Sequence, residues 1–352
     1  MDQEKDKVVV ALSGGVDSSA ATALLLEAGY DCQGVFMITC EQHRCAQDDA
    51  EQVARRLGIE LTVLDLREKF QEILAYFFET YRRGCTPNPC VVCNRKVKFG
   101  RLWDFAQEKG ATYLATGHYA RILDRGDGQA GLYQSAALAK DQSYVLSMVD
   151  REVFNHVLLP LGEYSKDQAR QIARQLGLGT EAKEESQEIC FIPDDDYVAL
   201  LEAHHPELVR EGPIVDSAGK TLGAHQGIHR YTIGQRRGLG VAMGKPYYVT
   251  RLDAGANTVV LGPKEEVLHS GLSTGPVNWL IDPPADPFDA TVKIRYNDRG
   301  KPGRIFPDAA GVRVVFETPN LAITPGQLAV FYIDSEAGRR VAGAGWIERV
   351  SD

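Results

Sequence analysis

Two clusters of residues in this chain have types and spacings suited to chemistry. The first is Leu12-Ser13-Gly14-Gly15-Val16-Asp17-Ser18-Ser19. It lies between an apolar run that reads as a strand, Val8–Leu12, and an Ala/Leu-rich run that reads as a helix, Ser18–Ala28, stopped at Gly29. A glycine-rich turn lets main-chain N–H groups approach phosphate oxygens, and the start of a helix favours anionic charge. Ser13, Ser18 and Ser19 add hydroxyl donors. Asp17 would repel bare phosphate, so its presence points to a bridging Mg²⁺. The segment lacks the Gly-Lys-Ser/Thr of a Walker A loop and is not GxGxxG. An ordinary turn with serine at the N-cap accounts poorly for paired glycines between Ser and Asp-Ser-Ser.

The second cluster is made of thiols. Of Cys32, Cys40, Cys45, Cys85, Cys90, Cys93 and Cys190, six lie before residue 94. An odd number of cysteines with no secretory leader pattern points to free thiols and a cytoplasmic setting. Cys90-Val91-Val92-Cys93 follows Thr86-Pro87-Asn88-Pro89 and precedes a helical pattern from Val97 to Lys109. A position just before a helix, amid Arg and Lys, predicts a lowered thiol pKa at Cys93. Cys190 has acidic neighbours, with seven acids against Lys183 between Glu181 and Asp196, which predicts a raised pKa. Taken singly, each cysteine reads as a small buried hydrophobe. Paired across a site, Cys93 and Cys190 could relay sulfur through a persulfide or a transient disulfide. Cys40, His43 and Cys45 fall short of the usual four zinc ligands and read as loop or core.

The elements that must position these residues change character along the chain. Strand patterns at Gly34–Ile38, Glu60–Leu64 and Ala111–Ala115 alternate with helical ones, including Asp48–Leu57. That alternation predicts a mostly parallel α/β sheet. Ser165-Lys166-Asp167-Gln168 reads as a capping box opening a helix to about Leu176. Beyond residue 200 helical periodicity fades. Tyr247–Leu252, Thr258–Leu261, Ala290–Tyr296, Gly311–Glu317, Leu328–Ile333 and Arg340–Trp346 read as strands of an antiparallel sheet or small barrel. His204 and His205 read as exposed loop residues, and Trp279 and Trp346 as barrel core. The predicted domains are 1–200, catalytic; 201–270, central; and 271–352, a β-barrel.

At 352 residues the chain is long enough for two or three domains, and its 44% hydrophobic and 25% charged composition excludes dominant disorder. No apolar run is long enough to span a membrane. The net charge of −9 argues against a nucleic-acid partner only when taken whole. The first 200 residues hold 22 basic and 31 acidic side chains, and the remainder holds 17 of each, so the excess is confined to one part. Two runs, Tyr81–Trp103 and Ser217–Leu252, are basic and acid-free, and Lys293–Arg304 carries five basic residues against Asp298. Together they predict a polyanion-binding face.

The glycine loop resembles the signature of the PP-loop ATP pyrophosphatases. The resemblance extends along nearly the whole chain to the bacterial tRNA-specific 2-thiouridylases. It rests on Ser13–Ser19, Thr86–Phe99, Thr116-Gly117-His118-Tyr119-Ala120, Lys140–Tyr144, Ser186–Pro193, Tyr231–Gly240 and Thr324-Pro325-Gly326-Gln327. It implies a PP-loop domain, a small central domain that contacts tRNA and a C-terminal antiparallel barrel. It also implies ATP-dependent replacement of the carbon-2 oxygen of the wobble uridine by sulfur, with pyrophosphate and AMP released. Cys93 would be the nucleophile, Cys190 the persulfide carrier, and Asp17 the residue near the metal. Ala11, Leu12, Ser13, Gly14, Gly15, Val16, Asp17, Ser18, Met37 and Gly117 would contact ATP. Asn88, Pro89 and Cys90 would face the target base. His118, Lys140, Asp141, Gln142, Arg295, Tyr296 and Gln327 would contact tRNA. A cysteine desulfurase or sulfur-relay protein would supply the sulfur.

Cys90 departs from the family pattern, which has Asp there. Cys90, Cys93 and Cys190 could therefore ligate a 4Fe-4S cluster with one iron open to hold sulfide. Persulfide and cluster routes both stand open on the sequence. So do two rival functions: a PP-loop ligase or amidotransferase acting on a small molecule, and a non-catalytic metal-holding RNA-binding protein. The first leaves the paired thiols and basic runs unexplained, and the second leaves the loop unexplained.

Overall fold

Three sheets organise the chain in the computed structural model, which describes residues 5–40, 44–125, 127–180, 189–241 and 244–352. The first is wholly parallel. It contains β1 (Lys7–Ala11), β2 (Asp31–Ile38), β3 (Leu61–Asp65), β4 (Tyr113–Ala115) and β7 (Val157–Leu158), in the order β3-β2-β1-β4-β7. Val8, Val9 and Val10 are completely buried, as a strand covered on both faces requires. The chain moves outward from β1 through α1 (Val16–Glu27), β2 and α2 (Arg44–Leu57) to β3, then returns to place β4 on the other side of β1. The order thus reverses between β1 and β4, and a crevice opens at their carboxyl ends, where open α/β sheets bind ligands.

The sequence reading missed α3 (Arg67–Arg82), although Phe70, Ile73, Phe77 and Tyr81 make a buried stripe at helical spacing. The helix expected from Val97 begins at Pro89. It runs as α4 (Pro89–Cys93), a π-helical stretch (Asn94–Arg101) and α5 (Leu102–Glu108). The remaining helices are α6 (Ser143–Leu146), α7 (Lys166–Gln175) and α8 (Tyr197–His204). The capping box is present: Ser165 Oγ accepts from Gln168 N, and Gln168 Oε1 accepts from Ser165 N. α7 packs on α1 through Val16, Ala20, Ala21, Ala169 and Ala173, small side chains that permit close approach.

The central sheet has the order β10 (Tyr248–Asp253), β11 (Thr258–Gly262), β8 (Gly212–Asp216), β9 (Thr221–His225). Its β8–β11 pair is parallel, contrary to the all-antiparallel expectation. The last six strands are β12 (Leu268–Trp279), β13 (Phe288–Lys293), β14 (Lys301–Pro307), β15 (Val312–Leu321), β16 (Leu328–Ile333) and β17 (Arg340–Ser351). They close into an antiparallel barrel because β12 pairs with both β15 and β17. Leu272, Val292, Ile305, Val314 and Phe331 fill it. A hairpin from the catalytic part, β5 (Ala120–Asp124) and β6 (Ala130–Gln134), extends this sheet by pairing with β17. Trp279 packs against the barrel core as expected, with Phe288 and Phe331 as ring neighbours. Trp346 instead turns outward onto Tyr76 of α3, with ring centroids 5.8 Å apart. His204 and His205, expected in an exposed loop, pack their rings on Phe78.

Candidate active site

The glycine loop sits where β1 meets α1, at the crevice between β1 and β4. Its hydroxyls hold the loop's own shape. Ser18 Oγ accepts from Ser13 N at 3.1 Å and donates to the Gly15 carbonyl at 3.1 Å; Ser19 Oγ donates to that same carbonyl at 2.8 Å. Main-chain N–H groups at the helix start are what the loop could offer an anion. Gly14 has φ +72°, and a Cβ there would lie 2.7 Å from Asp49 Cβ and 2.8 Å from Ala50 N of α2. A Cβ on Gly117, just beyond β4, would lie 2.7 Å from the Asp17 carbonyl carbon and 2.8 Å from Ser18 N. Gly117, expected to contact ATP, packs against the backbone of the loop. Leu12 and Val16 are buried, so they can offer a nucleotide only their main chain, whereas Ala11 and Met37 are partly exposed.

Asp17, expected near a metal, has two protein partners. Both carboxylate oxygens accept from Lys166 Nζ at 2.8 Å, and Oδ1 also accepts from Tyr119 Oη at 2.6 Å. Lys166, nearly buried at the first position of α7, was read from sequence only as part of the capping box. The box aims it: Ser165 fixes the first turn, and the next side chain projects back toward α1.

Cys93 ends α4 and runs straight into the π-helical stretch, so it does not precede a helix as expected. Its pKa is raised, first by burial; Lys98 lowers it and Cys90 raises it further. Removing a thiolate from water outweighs one ammonium. Cys190 is pushed up to about 12, by burial first and then by Cys93. The acids invoked for Cys190 between Glu181 and Glu188 lie outside the described residues. Cys90 and Cys190 are open to solvent yet enclosed enough to be desolvated, the condition of groups lining a recess. Cys40, Cys90, Cys93 and Lys98 all act electrostatically on Cys190. Lys98 also reaches Cys90, Cys93 and His118. Lys98 stands in the π-helical stretch, closed by i→i+5 bonds, five residues after Cys93 and within electrostatic reach of it. This was not legible from an assumed α-helix.

Among the described residues no three His, Cys, Asp or Glu side chains converge as a metal-ligand set. Cys90, Cys93 and Cys190 nonetheless lie near enough to act on one another electrostatically. The Cys40, His43 and Cys45 suggestion falls partly outside the described residues.

The residues expected to touch tRNA divide. His118 is buried against Phe99, accepts or donates through Nδ1 to Thr116 Oγ1 at 2.7 Å, and is held neutral by burial. Asp141 is buried and accepts from Ser135 N, Ser143 N, Ser143 Oγ and Gln134 Nε2. Gln142 Oε1 accepts from Tyr119 N at 2.9 Å. Gln327 Nε2 donates to the Thr86 and Pro87 carbonyls. Pro89 is buried, and Asn88 N donates to Tyr76 Oη at 3.1 Å. His118, Asp141 and Pro89 are thus enclosed, whereas Asn88, Gln142 and Gln327 are half-buried and bonded within the site's frame. Arg295, Tyr296 and Cys90 are exposed, and Lys140 is half-buried.

The first basic run is not acid-free in space. Arg82 meets Glu79, Arg95 meets Asp150, Lys96 meets Glu72 and Arg101 meets Glu108. In the second run, Arg236 and Lys245 line an open groove of about 700 Å³ with Gly238, Gly240 and Tyr247.

Three family models together match most of the chain: a tRNA methyl transferase HUP domain over 6–194, a tRNA methyl transferase PRC-barrel domain over 199–263 and an aminomethyltransferase β-barrel domain over 269–347. A tRNA-specific 2-thiouridylase of Carboxydothermus hydrogenoformans is 46% identical over 98% of this chain and 98% of its own. A protein of the same name from Pelobacter propionicus is 45% identical over 96% and 98%. Among solved structures, a 4-thiouridine synthetase–RNA complex with bound ATP aligns at 20% identity and TM-score 0.36, over 57% of this chain and 51% of that one.

Proposed function

The chain belongs to the tRNA-specific 2-thiouridylase family, and on that premise we propose how its residues carry out ATP-dependent 2-thiolation of a tRNA uridine. It is a tRNA-uridine 2-sulfurtransferase that uses ATP with Mg²⁺. The observation that carries the mechanism is the short bridge between the two sites. Gly117 packs on the loop backbone at Asp17 and Ser18, and the next residue, His118, packs on Phe99 of the cysteine helix.

ATP lies against the Ser13–Ser19 loop, with its phosphates on main-chain N–H groups. Mg²⁺ bound there would neutralise phosphate charge, and Asp17, whose carboxylate Lys166 and Tyr119 hold at the loop, is the residue that would hold it. The carbon-2 oxygen of the wobble uridine attacks the α-phosphorus, and pyrophosphate leaves. This converts a poor leaving group into AMP. The terminal sulfur of a Cys190 persulfide then attacks carbon 2 and displaces AMP. Cys93 thiolate attacks Cys190 Sγ, which forms a Cys93–Cys190 disulfide and leaves the sulfur on the base. A thiol reductant restores both cysteines with two electrons. The persulfide route needs only Cys93 near Cys190, and the two thiols stand close enough to act on each other electrostatically; iron analysis separates it from a 4Fe-4S cluster. Sulfur arrives from an upstream persulfide donor such as a cysteine desulfurase or relay protein, in the cytoplasm. The uridine must leave its stack to reach the recess, which suits a single-stranded anticodon loop. Arg236, Lys245, Lys140, Arg295 and Tyr296 are the candidates for holding tRNA.

The test is anaerobic incubation of the purified chain with tRNA transcript, ATP, Mg²⁺, a cysteine desulfurase with cysteine as persulfide donor and a thiol reductant, read by nucleoside mass spectrometry and iron analysis. 2-Thiouridine formed by iron-free protein is expected. Folded protein that makes none overturns the function, and activity that tracks iron content overturns the persulfide route.

A further inference from the structure

Lys98 is the odd member of its basic run. Arg82, Arg95, Lys96 and Arg101 each meet a carboxylate, whereas among the described residues Lys98 meets none. It is half-buried, while Arg95 and Lys96 are exposed. An ammonium drawn partly out of water without a carboxylate partner is unfavourable unless an anion visits it. What surrounds it instead is sulfur: Cys90, Cys93 and Cys190 all lie within electrostatic reach of it.

The backbone fixes Lys98 at this place. Val97 and Phe99, on either side of it, are buried in the main core. Asn94, which opens the π-helical stretch, is buried and donates through Nδ2 to the Val145 carbonyl at 3.0 Å. The stretch is tight, for a Cβ on Gly100 would lie 2.9 Å from the Arg95 carbonyl oxygen. Phe99 also carries the His118 ring, with centroids 5.8 Å apart, and Lys98 reaches that ring as well. Burial keeps His118 neutral, so the imidazole adds no positive charge of its own. Gly117, just before it, packs on the nucleotide loop. Lys98 thus stands at the join between the thiols and that loop.

Desolvation makes any anion in this recess unfavourable, yet sulfur transfer passes through two. The outer sulfur of a Cys190 persulfide attacks carbon 2 as an anion, and Cys93 follows as a thiolate. A persulfide lengthens the side chain by one S–S bond, about 2 Å, and carries its charge at the outer end. We propose that Lys98 holds the outer sulfur of the Cys190 persulfide as an anion for attack on carbon 2, and then offsets the charge on Cys93 as it frees that sulfur. The inference rests on the reading of Cys190 as the persulfide carrier. No bond to Lys98 forms or breaks, and its protons stay in place. It acts as a fixed cation aimed at charge that develops where water is largely excluded.

For the test, enzyme is loaded by a cysteine desulfurase with cysteine and then freed of donor, and Cys190 persulfide is counted by mass spectrometry. Loaded enzyme is mixed with ATP, Mg²⁺ and tRNA, and 2-thiouridine and pyrophosphate are followed through a single turnover. Lys98→Met, which keeps the side chain's bulk and removes its charge, should slow thiouridine formation per loaded molecule about a hundredfold. Pyrophosphate release and the Kd for tRNA should stay within about twofold, since neither uses the sulfur anion. Lys98→Arg, which keeps the charge on a different shape, should lose about tenfold at most. Added ethylammonium should restore Lys98→Ala in a saturable way, which repair of packing alone would not do. A parallel fall in pyrophosphate release overturns the proposal in favour of a phosphate-binding lysine. Weakened tRNA binding with normal transfer at saturating tRNA overturns it in favour of an RNA backbone contact. Equal loss in Lys98→Arg, lower thermal stability and no rescue by the amine overturn it in favour of a structural role, and a fully active Lys98→Met protein overturns it outright. Loaded wild-type enzyme that makes no thiouridine, or a fully active Cys190→Ser protein, instead removes the premise.

Discussion

At Cys93 two influences oppose each other, and burial wins. Lys98 favours the thiolate, while enclosure and Cys90 favour the thiol, so the pKa lies above its ordinary value. The reactive form is the thiolate, and a raised pKa means its fraction keeps growing as pH passes through the ordinary thiol range. The sulfur-transfer rate should therefore climb from pH 7 to pH 9 without a plateau. Pyrophosphate release, which uses no thiol, should stay flatter. Single-turnover thiolation and pyrophosphate release measured across that range check this; a thiolation plateau near pH 7 contradicts it. Lys166 is the other decisive side chain. Replacing it by Met leaves the Asp17 carboxylate uncompensated beside the phosphate site. ATP binding should weaken about tenfold, a loss of about 1.4 kcal/mol, while tRNA affinity holds. Calorimetric titration with ATP and filter binding with tRNA separate the two.

Elements convert these side chains into a site through their ends and irregularities. α1 starts on a glycine loop that packs directly on α2, and no larger residue fits at Gly14. Gly14→Ala combines a positive φ with contacts under 3 Å to α2 main chain and Asp49. It should cost about 1–3 kcal/mol of stability and abolish measurable ATP binding. Thermal unfolding with and without ATP reads both effects, and a wild-type-like ATP-induced rise in Tm is the contrary result. The capping box of α7 acts at the same scale. Ser165→Ala removes the acceptor for Gln168 N, at a cost of about 1 kcal/mol, and should loosen Lys166 as well. ATP affinity should thus fall along with Tm. The α7 box was legible in sequence because capping is a local four-residue pattern. The π-helical stretch was not, because i→i+5 and i→i+4 ladders draw on the same residue types.

At the scale of the molecule, the catalytic part and the barrel share one core. Leu328, Val330, Tyr332, Val341 and Ala344 of the barrel lie in the same buried cluster as Leu114, Leu132 and Tyr144. Lys293 is buried there too, with its ammonium over the Tyr144 and Tyr332 rings and Asp141 raising its pKa against desolvation. A chain ended before β12 would bare this surface. Residues 1–267 alone should therefore aggregate or remain unfolded; a soluble monomer with wild-type ATP binding by gel filtration and calorimetry would contradict that. Charge also takes its meaning at this scale. In the basic run around Cys93, Asp150 and Glu72 from other elements pair with Arg95 and Lys96, and Glu79 and Glu108 with Arg82 and Arg101, whereas Arg236 and Lys245 line an open groove of the central part.

The sequence by itself determined the alternation that builds the parallel sheet, the glycine loop after β1, the barrel strands and the family, because each is written in short-range pattern or contiguous motif. It identified the thiols and the raised pKa of Cys190 but mistook Cys93, where burial outweighs the basic neighbours that predicted a lowered pKa. Only the tertiary structure decided that Asp17 is held by Lys166, that His118 and Asp141 face inward, and that Gln327 reaches back across 240 residues to the cysteine loop. Each of these is a contact between distant segments, fixed by how three sheets pack, and burial, which sets the sign at the thiols, exists only once they have packed.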